Sequence, residues 1–316
     1  PITKTLISHP ELLKDAKKYF DLTNDIEGLE LEEIQDDICD EYIHWDYRIL
    51  LGDYMTFLIY EEEQTISELT LTLLEATGFY QTNKYTGGLS KFGRNQENRF
   101  FTLDCNEMLT EGTTNNTNRK SLFPNEFCAS HTKTTCSSGR LSKGICDNYI
   151  TDMVNNNYYS RNQWGNYGDK YADYCPISMS EIKQREKKYS LKGNCKFGNR
   201  TNYGHYAFYY WQIDKTDCDY NVFNDSYGES FSDISFCAFS SVISAYDSQE
   251  KKNIYEGFVR PTCYEMYCSD QSLTIKIDKL YHVCPRKGGI IKIEGDYEGH
   301  LVCPDYYLIC SQTVNR

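Results

Sequence analysis

The stretch EYIHWDYRILLGDYMTF contains residue types on which a metal-dependent reaction could depend. His44 carries an imidazole, a common metal ligand and general base, and Met55 follows eleven positions later in a short polar turn. A catalytic zinc needs three protein ligands and one open position for water. No two of the six histidines are four positions apart, so the H-E-x-x-H pattern that supplies two such ligands is absent. His44 alone is therefore one third of a metal site, or else an ordinary, partly buried histidine beside Trp45.

Helices on both sides of this stretch would position the two residues. Ser8 and Glu11 have the spacing of a capping box before the run LLKDAKKYF, and Thr65 and Glu68 repeat that spacing before LTLTLLEA. Gly78 stands where a left-handed helix end belongs. We therefore predict two amphipathic helices, the second of them downstream of Met55.

The segment between the first helix and His44 is strongly acidic. Residues 25–41 read DIEGLELEEIQDDICDE. They lack the glycine and the terminal glutamate that a calcium-binding loop needs at fixed positions. A run of carboxylates without ligand spacing is typical of a solvated surface, and we predict a solvated acidic loop here.

The fourteen cysteines are spread along the chain and do not form the paired C-x-x-C motifs of a structural zinc site. All except Cys39 lie between Cys105 and Cys310. Scattered, even-numbered cysteines predict disulfides and hence an oxidising compartment. The three N-x-S/T sequences agree with this compartment as candidate glycosylation sites, at Asn115, Asn199 and Asn224.

The same distribution predicts an α+β protein of two parts. Residues 1–103 should form a mainly helical domain that holds His44 and Met55. Residues 104–316 should form a disulfide-rich domain with antiparallel strands, because SLTIKIDKLYHV and GGIIKIEG alternate apolar and polar residues. Long polar loops separate these runs, and disulfides offset the entropy of ordering them.

Charge and hydropathy exclude several classes of function. The net charge is −13 and the pI is about 5.0, which argues against nucleic acid as a partner. No run of about 18 apolar residues predicts a membrane span, and a membrane anchor elsewhere is left open. The sequence begins at Pro1 without a signal-peptide pattern, which fits a processed product or a fragment.

At this point the motifs show a family resemblance over nearly the whole chain. IHWDYR, GDYMTF and LTLTLLEATGFY follow one another in the order and spacing of the leishmanolysin family, which are zinc endopeptidases of the metzincin type. YTGGLSKFGRNQ, FPNEFC, CSSGRLSKGIC, ADYCP, CYEMYC and CPDYYLIC then continue in the family order. Each motif is weak alone, but the series resembles this family specifically.

The resemblance implies a role for both residues of the opening stretch. His44 is similar to the third zinc ligand of the family, and Met55 to the methionine of the turn beneath the metal. The H-E-x-x-H helix would precede Pro1. We therefore expect a downstream portion of a zinc metalloendopeptidase that is inactive by itself. Its partners would be an upstream catalytic portion, or another chain, docking near His44, and a peptide or protein substrate. Its expected location is secreted or on the extracellular face of the plasma membrane.

The resemblance also implies a disulfide pairing. The implied pairs are Cys105–Cys175, Cys128–Cys146, Cys136–Cys237, Cys195–Cys263, Cys268–Cys310 and Cys284–Cys303. Cys39 and Cys218 have no counterpart in the family. They form a mutual bridge, remain as two free thiols, or supply a thiolate near the metal; the bridge is our first choice.

The chain departs from the family pattern in two places, and the second departure keeps a non-catalytic function open. A bridge of the family is missing, because Leu22 and Asn98 stand nearest to its two cysteine positions. The small residues that usually precede the histidine are replaced by the bulkier, acidic ICDEY. A non-catalytic surface or adhesion protein built on the same scaffold is therefore the main alternative, and an unrelated disulfide-rich binding module is a third. An upstream H-E-x-x-H would discriminate between them.

Overall fold

A computed structural model describes residues 4–32, 44–56, 65–84, 90–102, 125–128, 134–147, 172–173, 175, 177–185, 188–192, 195–196, 227–246 and 260–310. The helices are α1 Pro10–Phe20, α2 Tyr47–Leu50, α3 Glu68–Ala76, α4 Arg99–Thr102 and α5 Tyr306–Cys310. The first strands are β1 Leu6–Ile7, β2 Leu29–Glu30, β3 Thr134–Cys136, β4 Lys143–Asp147, β5 Ile177–Arg185 and β6 Lys188–Lys192. The others are β7 Ser235–Ser240, β8 Ile243–Ser244, β9 Arg260–Cys268, β10 Leu273–Ile277, β11 Leu280–Cys284, β12 Gly289–Ile293 and β13 Tyr297–Cys303. Helices together with antiparallel sheets confirm the predicted α+β class.

The chain divides into two compact units. The first comprises residues 1–132 and 146–178, and the second comprises residues 133–145 and 179–316. The boundary that we expect at 103 falls inside the first unit, because Phe127, Cys175 and Ile177 belong to the same core as α1. The assignment of a catalytic remainder and a separate disulfide-rich domain stays a prediction.

The first unit is built around α1 and α3, which pack against each other. In α1 the apolar side chains at helical spacing are buried, namely Leu12, Ala16, Tyr19 and Phe20, as the sequence pattern predicts. The short strands β1 and β2 pair in antiparallel fashion next to this helix. The result is a single core into which the residues around His44 also pack.

Both helices begin at residues other than those predicted. His9, not Ser8, precedes α1, and no side chain caps it. The reason is Pro10, whose fixed φ and missing N–H suit the first helical position. In α3 the cap is Ser67, whose hydroxyl accepts from the Thr70 amide at 3.2 Å.

The predicted cap of α3, Thr65, is occupied elsewhere. Its carbonyl accepts from the Tyr54 amide at 2.8 Å, and its amide donates to the Gly52 carbonyl at 3.0 Å. At the other end of α3, Gly78 has a φ of +76°, as predicted for a left-handed helix end.

The second unit contains a seven-stranded antiparallel sheet. Its order is β11-β10-β9-β7-β13-β12, and β8 pairs with β13. Burial in β10 alternates: Leu273, Ile275 and Ile277 are buried while Thr274 and Lys276 are partly exposed. The sequence SLTIKI predicts this alternation, which turns one face of the strand toward the core. A four-stranded sheet has the order β3-β4-β5-β6.

Disulfides join the described cysteines in the pairs that the resemblance implies. They are Cys128–Cys146, Cys136–Cys237, Cys195–Cys263, Cys268–Cys310 and Cys284–Cys303. Cys175 is also disulfide-bonded, and its expected partner Cys105 lies outside the described residues. The same holds for Cys39, Cys218, the ICDEY segment and the candidate glycosylation sites Asn115, Asn199 and Asn224.

In the described part of the acidic segment, residues 25–32, Asp25 and Glu27 are exposed as predicted, whereas two other glutamates differ from the prediction. Glu30 and Glu32 are largely removed from solvent, with 13% of the Glu30 side chain exposed. Glu30 is buried because it pairs with a buried arginine, described below. Within the described ranges, no helix is both long and apolar enough to span a bilayer.

Candidate metal centre

His44 lies in a short segment that runs beside β2 and then enters α2. The Glu32 amide donates to the His44 carbonyl at 2.9 Å, and the Asp46 amide donates to the Glu30 carbonyl at 3.1 Å. Leu31 and Trp45 form an antiparallel bridge between these two bonds. The backbone of His44 is therefore fixed by a strand-like pairing, although no regular strand was expected there.

The Met55 turn is bonded directly to the residue that follows His44. The Trp45 amide donates to the Met55 carbonyl at 2.9 Å, and Trp45 and Thr56 form a parallel bridge. The Met55 side chain is partly buried and packs against the core of the first unit. The fold thus brings together the two residues that the sequence separates by eleven positions.

The surroundings of His44 suit the neutral form of its side chain. The imidazole is partly buried, and this burial lowers its pKa. Neutral imidazole is the form that binds metal ions. A neutral imidazole can therefore serve as one zinc ligand, and in the described part of the chain His44 belongs to no group of three converging ligand atoms that could complete the set.

A buried arginine lies four positions after His44, and the sequence analysis missed it. The Arg48 side chain is only 1% exposed. Its Nη2 donates to Glu30 at 2.8 Å and its Nε to Asp173 at 3.1 Å, while Nη1 donates to the Phe100 carbonyl at 3.4 Å. Lys4 also contacts Glu30. The cluster connects residues from five separate parts of the first unit.

The carboxylates of this cluster differ in their protonation. Burial raises the pKa of Asp173 to about 6, although Arg48 opposes the shift. Burial also raises the pKa of Asp46, whose side chain accepts from the Arg48 amide at 2.7 Å. Burial acts on Glu30 in the same direction, but Arg48 and Lys4 outweigh it, so the pKa of Glu30 is lowered.

The same carboxylates could be mistaken for a metal site. Glu30, Asp46 and Asp173 each bring one oxygen to within 4.8 Å of the others. The Arg48 guanidinium already binds two of them and supplies the positive charge that a buried acidic group requires. We therefore describe the cluster as an ion-pair network that supports α2, and not as a second metal centre.

This network predicts a specific pH dependence of stability. The pKa of Asp173 is raised from 3.8 to about 6 in the folded chain, so its stabilising contribution is complete below pH 3.8 and is lost as the pH rises to about 6. The loss from this group should amount to roughly 2–3 kcal/mol. Between pH 4 and 6, the unfolding free energy of Asp173→Asn should therefore rise by about this amount relative to that of the wild type.

Urea denaturation at several pH values measures the free energy of unfolding of the wild type and of Asp173→Asn. Asparagine suits the left-handed backbone of Asp173, whose φ is +55°. The other groups facing Arg48, namely Glu30, Asp46 and Lys4, remain in both proteins. If the unfolding free energies of the two proteins followed parallel curves against pH, the raised pKa of Asp173 would be contradicted.

A partly buried histidine held next to a methionine turn is the arrangement expected of a zinc metallopeptidase of the metzincin type. The leishmanolysin family, peptidase family M8, matches residues 1–316 of the chain. The chain therefore belongs to the leishmanolysin family, which is a family of zinc metallopeptidases.

Two curated relatives are similar along almost the whole chain. The leishmanolysin-like peptidase of Drosophila pseudoobscura pseudoobscura is 23% identical over 322 residues, and that of Drosophila melanogaster is 23% identical over 323 residues. Each alignment covers 95% of this chain but 43% of the relative. The chain thus spans less than half the length of these relatives.

Proposed function

We propose that this chain is the downstream portion of a zinc metalloendopeptidase, in which His44 is the third protein ligand of the zinc. The observation that carries the proposal is the bond between the Trp45 amide and the Met55 carbonyl, which sets the methionine turn beside His44. Family membership supports peptide-bond hydrolysis as the class of reaction. Peptides or proteins are accordingly the proposed substrates.

We infer that the remaining ligands come from outside these residues. None of the six histidines forms an H-E-x-x-H pair with another, so two ligands and the general-base glutamate are assigned to an upstream portion, or to another chain, docking near His44. A bound zinc would lower the pKa of a coordinated water toward neutrality. This chain would contribute one neutral imidazole and the rigid turn next to it.

The location that we propose is secreted or on the extracellular face of the plasma membrane. The disulfides of both units support an oxidising compartment. Glycosylation at Asn115, Asn199 or Asn224 would agree with it.

A non-catalytic surface or adhesion protein derived from the same scaffold is the second candidate. Its support is the ICDEY sequence before His44, where the family usually has small residues. Large side chains there restrict how closely the backbone can approach a metal.

Zinc-dependent cleavage distinguishes the two candidates. The full-length protein should hydrolyse an unstructured test protein, lose this activity to a chelator and regain it with zinc. The 316-residue chain alone should bind no catalytic zinc and cleave nothing, because it supplies one ligand. A full-length protein that binds no zinc and cleaves no substrate would favour the non-catalytic candidate, and zinc-dependent activity of the isolated chain would show that a ligand set within it was overlooked.

A further inference from the structure

We propose that Asp53 is the positioning residue that holds the methionine turn, Trp45 and thereby His44 in place, and that the Met55 side chain does not carry this role. The importance of this geometry for zinc binding rests on the proposed function. The hydrogen-bond arrangement itself does not, because residues of this chain form all of it.

Asp53 is a fully buried carboxylate that receives donors from two elements. Only 1% of the residue is exposed. Its Oδ1 accepts from the Met55 amide at 2.7 Å, and its Oδ2 accepts from the Ser67 amide at 2.9 Å. One carboxylate thus joins the methionine turn to the first turn of α3, where the helix dipole also favours a negative charge.

The carboxylate also shapes the turn from within. A side chain that accepts from the amide two residues later closes an Asx turn, which fixes the backbone without a regular element. The Asp53 carbonyl adds to this, because it accepts from the Thr56 amide at 3.1 Å and from the Thr56 hydroxyl at 2.7 Å. The Met55 backbone is therefore held on both sides by Asp53.

A relay of hydrogen bonds then connects Asp53 to the residue after His44. The Thr70 hydroxyl lies 2.9 Å from both Asp53 oxygens, to which it donates. The same hydroxyl accepts from the Trp45 indole at 2.7 Å. Trp45 in turn donates its amide to the Met55 carbonyl at 2.9 Å, so Asp53, Thr70, Trp45 and Met55 form a closed ring.

The ring explains why the turn does not depend on the Met55 side chain. Both contacts that Met55 makes in the ring use its backbone amide and carbonyl, which any amino acid other than proline provides. The thioether contributes packing, for which leucine is a close substitute in volume. By contrast, the Asp53 carboxylate accepts from three donors at once, and an asparagine amide offers one oxygen for the same set.

The test uses the whole 316-residue chain, labelled with ¹⁵N and without added metal. The readouts are the hydrogen-exchange rates of the Trp45 indole and Met55 amide and the chemical shift of the His44 ring. We expect Asp53→Asn to speed exchange at Met55 about tenfold or more and to shift the His44 ring, because one buried donor loses its acceptor. Thr70→Val should speed exchange of the Trp45 indole by a similar factor and shift the His44 ring.

Two variants serve as matched controls. Thr72→Val makes the same change as Thr70→Val on the same helix, but the Thr72 hydroxyl donates to Asp15 at 2.6 Å and to the Glu68 carbonyl at 2.8 Å, outside the ring. Met55→Leu keeps the turn backbone. Both should leave all three signals at their wild-type values.

The proposal is overturned if folded Asp53→Asn shows wild-type signals, or if Thr72→Val or Met55→Leu moves them as far. Should Asp53→Asn fail to fold, an unchanged His44 ring in Thr70→Val overturns it. Because no readout involves zinc or catalysis, failure here is distinct from failure of the proposed function.

Discussion

Replacing Arg48 by methionine is expected to lower the free energy of unfolding by about 3–5 kcal/mol, the usual cost of leaving buried charges without their partner. Arg48 is inaccessible to solvent and binds Glu30, Asp173 and the Phe100 carbonyl at once. Methionine fills much of the volume but offers no donor. The substitution therefore isolates the loss of charge pairing from the loss of packing.

An exposed ion pair provides the control for this measurement. Lys14 lies 3.3 Å from Glu11 on the surface of α1, and most of both side chains is exposed. Lys14→Met should change the unfolding free energy by no more than about 0.5 kcal/mol. Urea denaturation measures both variants, and a loss below about 1 kcal/mol for Arg48→Met would contradict the buried network.

Acidification should reduce the cost of Arg48→Met. Asp173 has a pKa raised to about 6, so below that pH its carboxyl is increasingly neutral and needs no counter-charge. The difference between wild type and Arg48→Met should therefore be smaller at pH 5 than at pH 7.5. An equal difference at both pH values would show that Asp173 is not part of the electrostatic balance.

Regular periodicity made strands β10 to β12 and the first helix predictable. The alternation in β10 and the apolar spacing in α1 each follow from local side-chain direction, which the sequence encodes directly. Helix starts were less predictable, because they depend on competition between neighbouring groups. Helix α1 begins at Pro10, which suits the first helical position. The backbone of Thr65 bonds Gly52 and Tyr54, so Ser67 instead caps α3.

The buried ion-pair network was not predictable from local sequence. Glu30 stands in an acidic run that is typical of solvent exposure, and Asp173 is 125 positions away from Arg48. Burial of a charged residue depends on partners that only the tertiary fold brings together. The one local signal was an arginine embedded in the apolar run YRILL.

Part of the role of Asp53 is predictable from the local sequence. An aspartate two residues before Met55 and next to Gly52 is typical of an Asx turn. That signal indicates the bond to the Met55 amide. It does not indicate the bonds to Ser67 and Thr70, which require α3 to dock against the turn.

His44 is the residue on which the account depends most. If it is the third zinc ligand, replacing it should remove a whole coordinate bond. Losing a contact that only supports a ligand already costs 10–100-fold in metal affinity in known zinc sites, so His44→Ala should weaken zinc binding by more than about 100-fold. Met55→Leu should keep nearly all of the affinity, because the methionine packs against the core and its backbone is held by Asp53.

The most direct measurement is therefore the zinc content and zinc affinity of the full-length protein, compared between wild type, His44→Ala and Met55→Leu. We expect one zinc per chain in wild type and in Met55→Leu, and a loss of zinc in His44→Ala while circular dichroism shows an intact fold. Wild-type affinity in a folded His44→Ala protein would contradict the assignment of His44 as a zinc ligand.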